Sequence, residues 1–283
     1  MHFPLLTRCC VAVILTSLLY ALEAASPKIV APKAGIAIPF EVETELKRRI
    51  AAAESTSSKL REKLAKRPDL LRFMPDVDVF HVSVKRTLED GIFFKKREFD
   101  IAKKLLAMGE ERTRQLAAGQ TPWNTQTGLV VRAYISRIDG SLQPYGLWVP
   151  PEYRKDGNHR RLDIWYHGRA NGLSEVAFLD RRLNKPAPFL PKNSIVLLPY
   201  GRFCNAMKFA GETDTFEAMD HVRQFYDIDR NRISVRGFSM GGAATWHMGA
   251  HHASEWVAVN PGAGFVETKI YQNLTDKLDE FPD

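Results

Sequence analysis

The chain has 283 residues, 45% of them hydrophobic and 26% charged, with a formal net charge of +7. This is the composition of an ordinary soluble globular protein, long enough for one large α/β domain and a smaller appendage. Its 40 basic residues against 33 acidic ones are spread along the chain. The short clusters Lys47-Arg48-Arg49, Lys95-Lys96-Arg97 and Arg160-Arg161 read as solvated helix faces and exclude the blocked basic footprint of a nucleic-acid binder.

Residues 1–25 are expected to be a secretory signal. Arg8 supplies the positive end, Cys9 to Leu22 carries no charge, and Ala24-Ala25-Ser26 offers small residues for cleavage. The uncharged stretch is too short for a comfortable membrane span, so an exported protein without a stable membrane anchor is expected. Cys9 and Cys10 would leave with the signal. Cys204 would then stand alone, without an internal disulfide, as a small apolar side chain bordering the pocket.

Residues 26–38 read as an Ala/Pro/Lys linker. From 39 to 120 the pattern is helical. Val42, Leu46, Ile50 and Ala53 recur at helix spacing, followed by Leu60 and Leu64. Val79, Val82 and Leu88 mark a second helix closed by Glu89-Asp90-Gly91. Phe99, Ala102, Leu105, Leu106 and Leu116 mark a third, ended by Gly119. Apolar faces without strand signals need a partner surface, so a helical layer outside a sheet is expected. His81, alone on an apolar stretch, is expected to be packed.

From residue 121 onwards an α/β domain is expected, and at Gly128 the period changes. Leu129 to Ile135 and Leu142 to Val149 are strands joined by a hairpin at Asp139-Gly140. Strands follow at Leu162 to Tyr166, Ser194 to Leu198, Ile233 to Arg236 and Trp256 to Val259, with a helix from Asp214 to Tyr226. An antiparallel start followed by strand–helix alternation predicts a mostly parallel sheet flanked by helices.

The chemistry is carried by Gly237-Phe238-Ser239-Met240-Gly241-Gly242. A β-type run enters it and a helix-compatible run leaves it, which is the context of a nucleophile elbow presenting the Ser239 hydroxyl above the sheet. Acyl transfer also needs preplaced donors for the oxyanion. One is the Met240 N–H. The other is expected from the loop after the third strand, His167-Gly168-Arg169-Ala170, through the Arg169 N–H, with His167 and Gly168 lining the substrate site. No metal-ligand spacing, phosphate loop or dinucleotide fingerprint occurs, so neither a metal nor a cofactor is expected.

With these residues quoted, a resemblance becomes specific. Asp227-Ile228-Asp229-Arg230-Asn231-Arg232-Ile233 leading into the elbow resembles secreted α/β-hydrolases of the prolyl-oligopeptidase and polyhydroxybutyrate-depolymerase-like esterase group. Tyr200-Gly201-Arg202, Trp246 and Asn260-Pro261-Gly262-Ala263-Gly264 agree with it, over about residues 128–268. The resemblance implies a serine hydrolase acting on an ester or peptide, with triad residues in the order Ser, Asp, His. Arg169-Ala170 replaces the further glycines of such oxyanion loops. His247, His251 and His252 lie on the helix leading away from the serine and read as structural or surface residues. Asp276, Asp279 and Asp283 have no histidine after them. The triad acid and base are therefore expected beyond residue 283, the domain over 121–283 to be C-terminally incomplete, and this chain to turn over almost no substrate. A fold-retaining, non-catalytic binding protein is the alternative.

Overall fold

The computed structural model describes residues 34–267. The expected signal over residues 1–25, most of the 26–38 linker and the tail with Asp276, Asp279 and Asp283 lie outside the described residues.

Four helices come first: α1 over Phe40–Lys63, α2 over Pro68–Leu71, α3 over Met74–Glu89 and α4 over Arg97–Ala117. Pro68 and Pro75 stand in the first turns of α2 and α3, where a missing N–H leaves no helical bond unmade. The periodic residues are the buried ones, Leu46, Ile50 and Leu60 on α1 and Phe99, Ala102, Leu105, Leu106 and Leu116 on α4. Gly119 then takes φ +76°, the left-handed turn that ends a helix most easily with glycine. His81 is buried, as expected, and burial lowers its pKa.

The sheet has β1 (Gly128–Ile135), β2 (Leu142–Val149), β3 (Arg160–Tyr166), β4 (Ser194–Pro199), β5 (Ile228–Phe238) and β6 (Ala258–Gly262). Their spatial order is β1-β2-β4-β3-β5-β6. β2 is antiparallel to β1 and β4, and the remaining neighbours are parallel. Parallel neighbours require crossovers, supplied by α5 (Glu175–Asn184), α6 (Ala210–Phe225) and α7 (Met240–His251). Helices on both faces explain why β4 is buried along its whole length and reads as a continuous apolar run. This is the mostly parallel sheet flanked by helices that the sequence predicts.

Several elements differ from the sequence reading, among them α6, which begins at Ala210 where the pattern predicts a start at Asp214. Helix α5 was not expected from the pattern; it is short, and its N-terminus rests on the Ser174 side chain accepting from the Ala177 N–H. Strand β5 begins five residues early, because Asp229 to Arg232 bulge outwards and pairing resumes at Leu162–Ile233 after Arg160–Ile228. The last strand starts at Ala258 instead of Trp256. The Trp256 indole turns inwards and donates to the Met248 carbonyl at 2.9 Å.

Helices α3 and α5 lie on β1 and β2, and α1 and α4 pack onto these helices. Leu46, Ile50, Val79 and Phe80 share one apolar cluster with Val131, Ala133 and Leu142, while Leu60, Phe73 and Met74 share another with Tyr134 and Tyr145. Burial of each such side chain is worth about 1.5–3 kcal/mol. Within this seam the Asp76 carboxylate accepts from Arg132, from the Trp123 indole at 3.0 Å and from the Ala133 N–H at 3.0 Å.

Candidate active site

At the end of β5 the chain turns into α7 through Ser239, whose backbone sits at φ 57°, ψ −122°. A non-glycine residue held there is strained by about 1–3 kcal/mol and stays only where its surroundings fix it. The fixing contacts are local. The Ser239 N–H donates to the Gly262 carbonyl at 2.9 Å, and the Ser239 carbonyl accepts from the Ala243 N–H at 3.0 Å.

The flanking glycines are required by space. A Cβ on Gly237 would lie 2.3 Å from the Gly241 carbonyl oxygen, and one on Gly241 would lie 2.2 Å from that of Tyr166. Strand, turn and helix therefore approach more closely than any side chain allows. Gly242 is equally confined, with its missing Cβ 2.3 Å from the Gly262 oxygen. Ser239 itself remains half-exposed at the carboxyl end of the parallel strands, between an exposed Phe238 and a buried Met240.

The His167–Ala170 loop runs beside this turn. The position of a Gly168 Cβ is 3.8 Å from the Ser239 Cβ and 3.4 Å from the Phe238 carbonyl oxygen. The Ala170 N–H is taken by the Cys204 sulfur at 3.4 Å, whereas the Arg169 N–H has no partner among the described residues. Met240 opens α7, where first-turn N–H groups lack intrahelical acceptors and the helix dipole presents its positive end. The Met240 N–H thus follows Ser239 directly, and the Arg169 N–H follows Gly168 in the neighbouring loop.

His167 is buried, with Nε2 3.0 Å from the Tyr200 carbonyl and Nδ1 3.0 Å from that of Gly168. Burial lowers its pKa, and a neutral imidazole donates through one nitrogen only. The ring ties the His167–Ala170 loop to the end of β4, and its burial keeps it from lining the open site expected from the sequence. Cys204 performs a matching service from the 201–209 loop, and burial pushes its thiol pKa up. That loop holds Arg202, Phe203, Ala206, Met207 and Phe209 at positive φ. Composition gave no sign of this strain, and the pinning role of Cys204 depends on the path of the loop.

The other described histidines are engaged elsewhere. His247 and His252 both hydrogen-bond the Glu212 carboxylate, the latter at 2.7 Å, and His251 lies ring to ring with His247 at 4.6 Å. Burial works to raise the Glu212 pKa, but the two imidazole contacts outweigh it and lower it. His159 Nδ1 is 3.2 Å from the Ile228 carbonyl, and His221 Nδ1 is 2.7 Å from the Tyr145 hydroxyl. Nothing among the described residues hydrogen-bonds the Ser239 hydroxyl. Nor is any described group of His, Cys, Asp and Glu arranged to hold a metal ion, and no described helix is long and apolar enough to cross a membrane.

No protein-family model matches the chain, and no curated protein matches it. Solved structures do. The chain is similar to FphF, a fluorophosphonate-binding serine hydrolase of Staphylococcus aureus, at 19% identity and TM-score 0.40, over 53% of this chain and 62% of that one. It is similar to the S-formylglutathione hydrolase FrmB of the same organism at 20% identity and TM-score 0.38, over 53% and 61%. A thermostable esterase aligns at 23% identity and TM-score 0.35, over 51% of this chain and 43% of that one. The chain thus spans less than two thirds of the length of each of these structures.

Proposed function

We propose that the protein is a serine hydrolase, a carboxylic-ester hydrolase or serine-type peptidase of the prolyl-oligopeptidase-like group, acting through an acyl-enzyme on Ser239. The observation that supports this best is the backbone of Ser239, held at φ 57° between two glycines that cannot carry a Cβ. Such strain is kept where it serves a site. In the first half-reaction the Ser239 oxygen attacks the carbonyl carbon and its proton passes to a base. The tetrahedral oxyanion is met by the Met240 and Arg169 N–H groups, and collapse expels the leaving group and leaves the acyl-serine. Gly168 keeps the floor between serine and oxyanion loop open, while His167 holds that loop from beneath. The base and its carboxylate partner are sought outside the described residues, since every described histidine is placed elsewhere. The expected signal over residues 1–25 would put this activity in the periplasm or outside the cell.

The lack of a described partner for the Ser239 hydroxyl supports a second reading, a fold-retaining protein without turnover. A fluorophosphonate probe applied to the full-length protein, with mass-spectrometric mapping, separates the two. Labelling at Ser239 that is lost in Ser239→Ala is the expected result. An unlabelled Ser239 in folded protein, or labelling that survives Ser239→Ala, would sink the hydrolase reading.

A further inference from the structure

A second feature lies on the other side of the fold. A cavity of about 600 Å³, within the range of small-molecule sites, opens between α6, the end of β1 and the turn joining α2 to α3. It is lined by four arginines, Arg72, Arg137, Arg223 and Arg230, against two carboxylates, Glu217 and Asp220. Each carboxylate faces an arginine, although the buried Glu217 Oε2 has no hydrogen-bond partner among the described residues. Glu217 accepts from Arg137 at 3.1 Å, and Asp220 accepts from Arg223 at 3.2 Å. Arg72 and Arg230 have no carboxylate partner among the described residues. Arg72 is held instead by stacking, its guanidinium 4.3 Å from the Phe225 ring centre, so its charge is placed but not neutralised.

His221 adds a neutral donor. The buried Tyr145 hydroxyl has the ring's Nδ1 as its sole hydrogen-bond partner among the described residues, at 2.7 Å, so the phenol proton goes to that nitrogen. The ring proton then resides on Nε2, which has no acceptor among the described residues and belongs to a residue lining the cavity. Arg230 projects from the bulge that opens β5, and from Ile233 to Ser239 that strand runs about 20 Å. The two sites therefore sit at opposite ends of β5.

We propose that this cavity binds a small molecule through a multivalent oxyanion, a phosphate or polycarboxylate group. Arg72 and Arg230 supply the uncompensated charge and the His221 Nε2–H a directional donor. Planar guanidinium forks match such oxygens in pairs, and charge-assisted bonds are about twice as strong as neutral ones. Tyr134 and Ile135 leave an apolar wall for the organic part of the ligand.

Calorimetric titration of the full chain with inorganic phosphate and with citrate, each against sodium chloride at matched ionic strength, tests this. Saturable one-to-one binding of at least one probe is expected. Binding of phosphate alone marks a phosphorylated ligand, and binding of citrate alone a polycarboxylate. Arg230→Gln should weaken that binding about tenfold and Arg72→Gln/Arg230→Gln abolish it, while Arg48→Gln on exposed α1 leaves it unchanged. Should the double variant fail to fold, the Arg230→Gln single decides, since that side chain has no partner to lose. No saturable heat with either probe, or equal affinity in Arg230→Gln, would overturn the proposal. Labelling of Ser239 is read separately, so either result stands without the other.

Discussion

The α-carbon of Gly241 passes so close to Tyr166 that an added methyl group would lie 2.2 Å from the Tyr166 carbonyl oxygen. The first turn of α7 is thereby seated on the end of β3, and the same contact holds the Ser239 turn against the loop that follows Tyr166. Gly241→Ala should cost about 3 kcal/mol, since a carbonyl cannot give way as a flexible side chain can. It should also slow fluorophosphonate labelling by about a hundredfold through displacement of the serine. Unchanged melting and labelling would show that the backbone yields at no cost.

Ser239 pays for its position in strain, and a glycine there should not. Ser239→Gly is expected to raise stability by about 1 kcal/mol, the relieved strain offset in part by the greater chain entropy of glycine. Denaturant midpoints of Ser239→Gly and Ser239→Ala make the comparison. A glycine variant no more stable than the alanine variant would show that the turn is relaxed as it stands.

Asp76 on α3 and Arg132 on β1 form a fully buried ion pair at 2.7 Å, with side-chain exposures of 1% and 0%. Burial alone would raise the Asp76 pKa, but the Arg132 charge lowers it, so the carboxylate stays ionised. Removing one partner of such a pair leaves an uncompensated charge, and Asp76→Asn should destabilise the protein by about 3–5 kcal/mol. Unfolding of the helical layer and of the sheet should remain a single transition, because the apolar clusters are shared. Two separated transitions, or a loss below about 1 kcal/mol, would contradict this.

Burial lowers the His221 pKa from 6.5 to about 4. The unfolded chain therefore binds a proton between those values that the folded chain does not, and this residue's contribution to stability falls as pH drops from 6.5 to 4 and is retained above 6.5. The loss should amount to roughly 3 kcal/mol across that window. His221→Asn removes the titrating group, so its stability should decline less steeply over the same range. Parallel slopes for the two proteins would count against a buried neutral imidazole.

The sequence by itself determined the local pieces. Period-3.6 stripes marked α1, α3 and α4, apolar runs marked the strands, and small residues around Ser239 marked the elbow, because each is fixed by neighbours close in the chain. Helix α5 and the bulge before Ile233 were not legible, since a ten-residue helix carries few repeats and a bulge is set by the partner strand. Only the tertiary structure decided what the histidines do. His167 turned beneath its loop to the Tyr200 carbonyl, His221 turned to Tyr145, and His247 and His252 converged on Glu212, partners 33, 76, 35 and 40 positions away. The same long-range folding gathered Arg72, Arg137, Arg223 and Arg230 around one cavity. Spacing along the chain cannot encode such meetings, because they depend on the order in which strands enter the sheet and on how helices cross its faces.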